Sequence, residues 1–185
     1  MKKMIRLLDL LFSVIGIILL SPVFFLVLVL GYFDTGSPLF IQTRVGKNKK
    51  PFRLVKFRTM NVDTKSVASH MADRNSITKF GEFLRKTKLD ELPQLINVMK
   101  GEMSLVGPRP NLFNQGELIA VREQYKVYDV VPGITGLSQV NNIDMSTPKL
   151  LAETDSVMIK NISILNYFKL IAMTVLGSGS GDAIR

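Results

Sequence analysis

The sequence predicts a helix-dominated α/β chain of the α+β kind, in which a re-entrant N-terminal membrane helix hairpin is followed by a small cytoplasmic domain with interfacial helices. Three observations carry that expectation. Leu7 to Leu30 is almost wholly apolar and has cations on both flanks; two short strand-like runs surround a basic turn; and several later segments repeat apolar residues at helical spacing. A length of 185 residues suits one modest core. The chain divides into a membrane anchor at 1–33, a folded domain at 34–176 and a flexible Gly/Ser tail at 177–185.

At 1.5 Å per helical residue, roughly twenty apolar residues cross the hydrocarbon core of a bilayer, so Leu7 to Leu30 is long enough to span. Its flanks argue otherwise. Lys2, Lys3 and Arg6 precede it, and Arg44, Lys47, Lys49, Lys50, Arg53, Lys56 and Arg58 follow with no acid between Phe40 and Met60. Cationic flanks favour the cytoplasmic side, so both ends are expected there. Pro22 removes a helix hydrogen bond and clashes with the preceding turn, while the Ser21 hydroxyl can bond a backbone carbonyl at the bend. Ser21 and Pro22 are therefore the expected membrane break. A single straight span with a mild proline kink is the competing expectation. A cleavable signal peptide fits less well, because no clear small-residue cleavage site follows.

Asp34 to Pro38 are turn-formers at the membrane exit. Pro38 to Thr43 and Phe52 to Arg58, joined by the turn Gly46 to Pro51, predict a small hairpin with Lys56 and Arg58 on one face. The basic turn is either a solvated face or an attraction for anionic lipid. Asn61 to Asn75 is polar and reads as a loop or short helix. Its His70, the only histidine, is expected in a solvated loop and not at a metal. From Ile77, Phe80, Phe83 and Leu84 share a helical face, with Thr78 as cap and Gly81 as a weak spot; this helix delivers Arg85.

Lys86 to Pro110, KTKLDELPQLINVMKGEMSLVGPRP, concentrates the chemistry. Leu92, Leu95, Ile96 and Met99 fall at i, i+3, i+4 and i+7, predicting a helix of about ten residues that begins near Asp90 and ends at Gly101. Asp90 and Glu91 then lie at a helix N-terminus, which favours anions, including a substrate phosphate. An aspartate there is also what an ordinary N-cap requires. The surrounding cations Arg85, Lys86, Lys88 and Arg109 suit a diphosphate.

Further on, Gln115 to Lys126 reads as a mainly polar helix. In Val130 to Val140, Pro132-Gly133 and Thr135-Gly136 bring the backbone close either to a nucleotide or to another part of the chain. Met158 to Leu176 is apolar but broken by Lys160, Asn161, Asn166 and Lys169, which favours an interfacial or core helix over a second span. A net charge of +9 calls for an anionic partner, whether nucleic acid, anionic lipid or a phosphorylated substrate. The absence of cysteine excludes a disulfide framework and Cys-ligated metal. Neither a Walker A loop nor GxGxxG occurs.

LDELPQLINVMKGEMSLVGPRP resembles the signature of the bacterial sugar transferases, the monotopic phosphoglycosyl transferases that load a sugar phosphate onto a polyprenyl phosphate. RVGKNKKPFRLVKFRTM, TKFGEFLRKTKLDELPQ and VVPGITGLSQVN stand in that family's order and spacing. The resemblance implies a helix broken at Ser-Pro that enters and leaves one leaflet of the bacterial inner membrane. It implies a catalytic domain on the cytoplasmic face, with UDP-sugar, polyprenyl phosphate and membrane lipids as partners and no nucleic acid; a homo-oligomer stays open. It implies a covalent sugar phosphate on Asp90, Mg2+ held partly by Glu91, and Lys56, Arg85 and Arg109 around the phosphates. It also implies substrate binding near Gln139 and Asn141, and carries over the acidic Asp155. The family's Gly-Arg-Asn is replaced by Asn142, Ile143 and Asp144, its Tyr by Met158, and a second Asp by Tyr167. A membrane-anchored basic module that binds lipid or nucleic acid is the non-enzymatic alternative, and a single-displacement transferase with Asp90 as metal ligand the enzymatic one.

Overall fold

The computed structural model of the chain describes residues 1–64 and 73–179. His70, and with it most of the polar loop expected before Asn75, lies outside them, as does the end of the Gly/Ser tail.

Helices α1 (Lys2–Leu19) and α2 (Ser21–Thr35) are bent by 63° at Leu20, and neither is long and apolar enough to cross a membrane alone. The bend has the expected chemistry. Pro22 sits in the first turn of α2, where it sacrifices no hydrogen bond, and the Ser21 hydroxyl donates to the Ile18 carbonyl at 2.8 Å. Leu7, Leu11, Ile18, Phe25, Leu26 and Phe33 are exposed on the pair. The opposite side of α2 packs Val23, Phe24 and Val27 onto Phe57, Leu84, Leu89 and Leu92.

The hairpin forms as expected: β1 (Leu39–Val45) pairs antiparallel with β2 (Pro51–Phe57), Leu39 opposite Phe57 and Val45 opposite Pro51. Along β2 the buried positions Phe52, Leu54 and Lys56 alternate. Period-two geometry therefore forces a lysine onto the core face, where its charge needs a partner. Arg58, just beyond the strand, turns away: its Nε donates to the Ser37 carbonyl and its guanidinium lies over the Phe40 ring, bracing the link from α2 to β1.

Helix α3 (Lys79–Lys86) is capped by Thr78, whose hydroxyl accepts from the Gly81 N–H at 2.8 Å. Gly81 is a contact point, because a Cβ there would come within 2.0 Å of the Thr59 carbonyl oxygen. The next helix differs from expectation. Leu89–Glu91 forms a 3-10 turn entered through Lys88 in the left-handed region (φ 58), and α4 (Gln94–Lys100) begins only after Pro93. A proline has no N–H, so the regular ladder starts behind it and Asp90 is not the helix N-cap. Gly101 (φ 82) ends α4 as expected.

Strand β3 (Ser104–Val106) pairs parallel with β4 (Gly133–Thr135). Gly133 faces Gly107 so closely that a Cβ would fall 2.0 Å from the Gly107 nitrogen; close packing, not an opening to a ligand, explains the Pro132-Gly133 turn. Helix α5 (Gly116–Gln124) lies against α7 (Pro148–Lys160), and α6 (Leu137–Val140) joins them. The apolar stretch Met158 to Leu176 is not one helix: Asn161 ends α7 and the Ser163 hydroxyl caps α8 (Ile164–Val175). Helix α8 covers α1, with Phe168 edge-on to Phe12, and leaves Leu165 exposed.

Candidate active site

Three elements meet at Glu91: Lys56 arrives from the buried face of β2, Asp90 and Glu91 from the 3-10 turn, and Arg109 from the loop after β3. Glu91 Oε1 lies 2.8 Å from an Arg109 guanidinium nitrogen and 3.4 Å from Lys56 Nζ. Lys56, Asp90 and Glu91 are 7%, 4% and 8% exposed, so these charges meet where water screens them poorly. Arg85 Nε donates to Thr59 Oγ1 at 2.9 Å, bracing the exit of the strand that carries Lys56. The other expected cations point elsewhere. Lys86 pairs with Glu82 at 2.9 Å, one turn back on α3. Lys88 donates to the Thr174 and Ser178 carbonyls, at the negative end of α8.

The Pro108-Arg109-Pro110 loop is fixed through its carbonyls. That of Pro108 accepts from the Gly133 N–H at 2.9 Å, that of Arg109 from Arg122 at 2.8 Å, that of Pro110 from Arg44 at 3.1 Å and that of Asn111 from the Val45 N–H at 2.9 Å. Two prolines remove two donors and freeze φ at two of the four positions. Arg109 is thereby aimed by a backbone with little freedom left.

Asp155 stands behind this loop, apart from any open surface. It is fully buried, one oxygen taking a hydrogen bond from Ser138 Oγ and the other an ion pair with Arg122, both at 2.7 Å. Burial pushes its carboxyl above the ordinary range, opposed by the Arg122 charge and the Ser138 hydroxyl. Asp155 is linked to the loop by a chain of contacts: it holds Arg122, and Arg122 holds the Arg109 carbonyl. Gln139 lies on α6 with both side-chain amide atoms buried and without a hydrogen-bond partner among the described residues. Asn141, at the end of α6, is exposed.

Four residues that matter here were missed in the sequence. Arg44 and Arg122 hold the loop. Asn97 on α4 donates to the Arg53 carbonyl and accepts from the Val55 N–H, pinning β2 beside its lysine. Asp9, inside the apolar stretch, accepts from Ser104 Oγ, the Leu105 N–H and Tyr167 Oη, at 3.0, 3.0 and 2.9 Å. It ties α1 to the strand that feeds the Arg109 loop. A lone carboxylate in an apolar run was the available signal; Arg44, Asn97 and Arg122 carried none.

The protein belongs to the bacterial sugar transferase family, which it matches over residues 1–179. It is 38% identical, over 92% of its length, to the UDP-glucose:undecaprenyl-phosphate glucose-1-phosphate transferase of Klebsiella pneumoniae, covering 39% of that protein. It is 35% identical, over 93% of its length, to the UDP-N-acetylgalactosamine-undecaprenyl-phosphate N-acetylgalactosaminephosphotransferase of Aeromonas hydrophila, covering 44%. With the uncharacterized sugar transferase EpsL of Bacillus subtilis it shares 41% identity over 76% of its length and 69% of that protein. The chain spans about two fifths of the length of the first two relatives.

Proposed function

We propose that this protein transfers a sugar 1-phosphate from a UDP-sugar to polyprenyl phosphate, with undecaprenyl phosphate as the natural carrier, and releases UMP. The observation that carries the reading is Glu91 held by Lys56 and Arg109 beside buried Asp90, next to an exposed apolar helix pair. The reactions named for the Klebsiella and Aeromonas relatives support the same class.

In the first step an Asp90 carboxylate oxygen attacks the phosphorus that bears the sugar. The Asp90 O–P bond forms, the bond from that phosphorus to the bridging oxygen breaks, and UMP leaves with the oxygen. In the second, an oxygen of polyprenyl phosphate attacks the same phosphorus and frees the carboxylate. An ordinary aspartate is ionised at neutral pH and needs no separate base. Lys56, Arg109 and Arg85 offset the repulsion between carboxylate and diphosphate and stabilise the leaving phosphate.

Asp90 and Glu91 are hard oxygen donors, and no cluster of three or more metal-binding side chains occurs among the described residues. That donor set fits Mg2+, which takes one or two carboxylates and completes its shell with water and substrate phosphate. Glu91 is the residue that would hold it, and the bound ion supplies charge neutralisation.

The bent helix pair supports a monotopic anchor that enters and leaves the cytoplasmic leaflet. Single cysteines at Lys3 and Asn48 in this cysteine-free chain should both resist an impermeant thiol reagent in intact cells; labelling at Lys3→Cys alone would establish a span instead. For the chemistry, a panel of labelled UDP-sugars without acceptor should release UMP and leave label on the protein, and Asp90→Asn should abolish both. UMP release that needs the acceptor and leaves no label would replace the covalent route with direct displacement.

A further inference from the structure

A concavity apart from the Asp90–Glu91 cluster lies along β3. It is a cavity of about 720 Å3 between the start of α1, the loop from α5 to β4, and the end of α7. Its floor is apolar, built by Ile5, Met103, Val106, Val131, Met158 and Ile162. Its mouth is cationic: Lys2, Arg6, Lys47, Lys126 and Lys160 line it, brought from four separate parts of the chain. Lys2, Lys47, Lys126 and Lys160 are exposed and form no ion pair among the described residues. Arg6 donates to the Val98 and Met99 carbonyls in the last turn of α4 and forms no ion pair among the described residues. Two carboxylates line the cavity. Asp9 is buried under its three donors, leaving Asp129 as the one exposed acid.

None of Lys56, Arg85, Asp90, Glu91 or Arg109 lines this space. A carrier phosphate lodged here would face no nucleophile cluster, so the occupant is not required to react. An apolar floor with an excess of cations at its rim matches an amphiphile that carries a negative head and a hydrocarbon tail. A water-soluble anion leaves the apolar floor unexplained, and a neutral lipid leaves the cations unexplained. One wall is α1, whose Leu7, Leu10, Leu11 and Val14 are exposed, so an acyl chain can pass from the apolar face of that helix into the cavity.

We propose that this cavity is a binding site for an anionic phospholipid of the surrounding bilayer, with its phosphate among Lys2, Lys126 and Lys160 and an acyl chain on the Met103–Ile162 floor. The proposal is independent of the reaction assigned to Asp90. Its consequence is a bilayer lipid that fills the wedge between α1 and α7, holding the membrane helix against the domain.

The test uses the whole chain in neutral detergent with fluorescent dioctanoyl phosphatidylglycerol as probe. Unlabelled phosphatidylglycerol should displace it, whereas phosphatidylcholine of the same chain length and inorganic phosphate should not. Lys126→Glu/Lys160→Glu should weaken probe binding on the order of tenfold or more, since each charge near an anionic head contributes roughly several-fold. Lys79→Glu/Lys149→Glu changes the net charge equally at exposed sites outside the cavity and should bind as the unmodified chain does. Thermal unfolding confirms that both variants are folded. Ile162→Trp, which fills the floor and leaves every charge, should also weaken binding. Equal loss in the two charge-reversed variants would reduce the effect to general surface attraction and overturn the site. Displacement by inorganic phosphate would overturn the lipid assignment, and competition by UMP or by polyprenyl phosphate at equal concentration would return the cavity to the substrate path.

Discussion

Arg122 and Asp155 make a closed pair, 1% and 0% exposed, that reaches the chemistry through the Arg109 carbonyl and the Asn111 side chain of the same loop. Replacing Arg122 with Met keeps most of the volume but strips Asp155 of its cation, and leaves the Arg109 carbonyl without its donor. Breaking a buried pair from one side costs about 3–5 kcal/mol, because an uncompensated charge is left behind. For a chain of this size that corresponds to a fall in Tm of roughly 10 °C. The double variant Arg122→Met/Asp155→Leu removes both charges, and apolar replacement of a whole buried pair is often neutral, so most of the lost stability should return. UMP release should not return. Without Arg122 the Arg109 loop is free to drift, and a misplacement of about 1 Å costs on the order of a hundredfold in rate. Urea unfolding and kcat, measured on both variants, separate the two effects. A double variant that regains stability and full kcat together would refute the positioning role.

Glu91→Gln keeps the shape of the side chain but deletes the charge that meets Lys56 and Arg109. UMP release should fall by at least about a hundredfold, and the Mg2+ titration should shift to higher concentration; an unchanged titration would remove Glu91 from metal binding. Gly81→Ala puts a methyl where the Thr59 carbonyl already lies, so α3 must move away. We expect a loss of about 1–3 kcal/mol by urea unfolding together with slower turnover, since Arg85 reaches Thr59 from the same helix. Burial, with the Asp9 carboxylate beside it, raises the Tyr167 hydroxyl well above the usual tyrosine value. A folded value above the unfolded one contributes stability that is complete below about pH 10 and is lost as pH rises beyond it. Tyr167→Phe should therefore cost roughly 1 kcal/mol at neutral pH and show a shallower alkaline decline; an unchanged slope would contradict the coupling.

Those features whose cause is local could be read in the sequence. The hairpin follows from alternation at Phe52, Leu54 and Lys56, the start of α3 from Thr78, the end of α4 from Gly101, and the bend from Ser21 and Pro22. The helix expected at Asp90 failed at Pro93, because apolar spacing over Leu92 to Met99 records which residues face the core and is indifferent to whether the first turn is 3-10 or α. The break at Asn161 was hidden for the same reason: hydropathy on both sides of it is continuous. The loop around Arg109 shows the limit most clearly. Its prolines and its arginine are evident, but the groups that immobilise it, Arg44, Arg122 and Gly133, come from distant segments and are chosen by fit across the fold. Asp155 is the instructive case. Its position was conspicuous in the sequence, but its full burial and its link through Arg122 to the Arg109 loop were not, because its partners Arg122 and Ser138 come from other helices.

The three donors to Asp9 lie 95, 96 and 158 residues further along the chain. During synthesis α1 emerges before all three of these partners, and Tyr167 is the last of them to appear. Until then an apolar helix carries a carboxylate without these donors, a state disfavoured by about 2.5–3.5 kcal/mol should that charge enter the hydrocarbon centre of a bilayer. The helix therefore resists burial in lipid until the domain is complete, and settles only when Ser104, Leu105 and Tyr167 arrive to receive it. Helix α1 and the rest of the fold mature together, and a generic apolar helix grafted in place of α1 would be free to settle in lipid before Ser104, Leu105 and Tyr167 had folded around it.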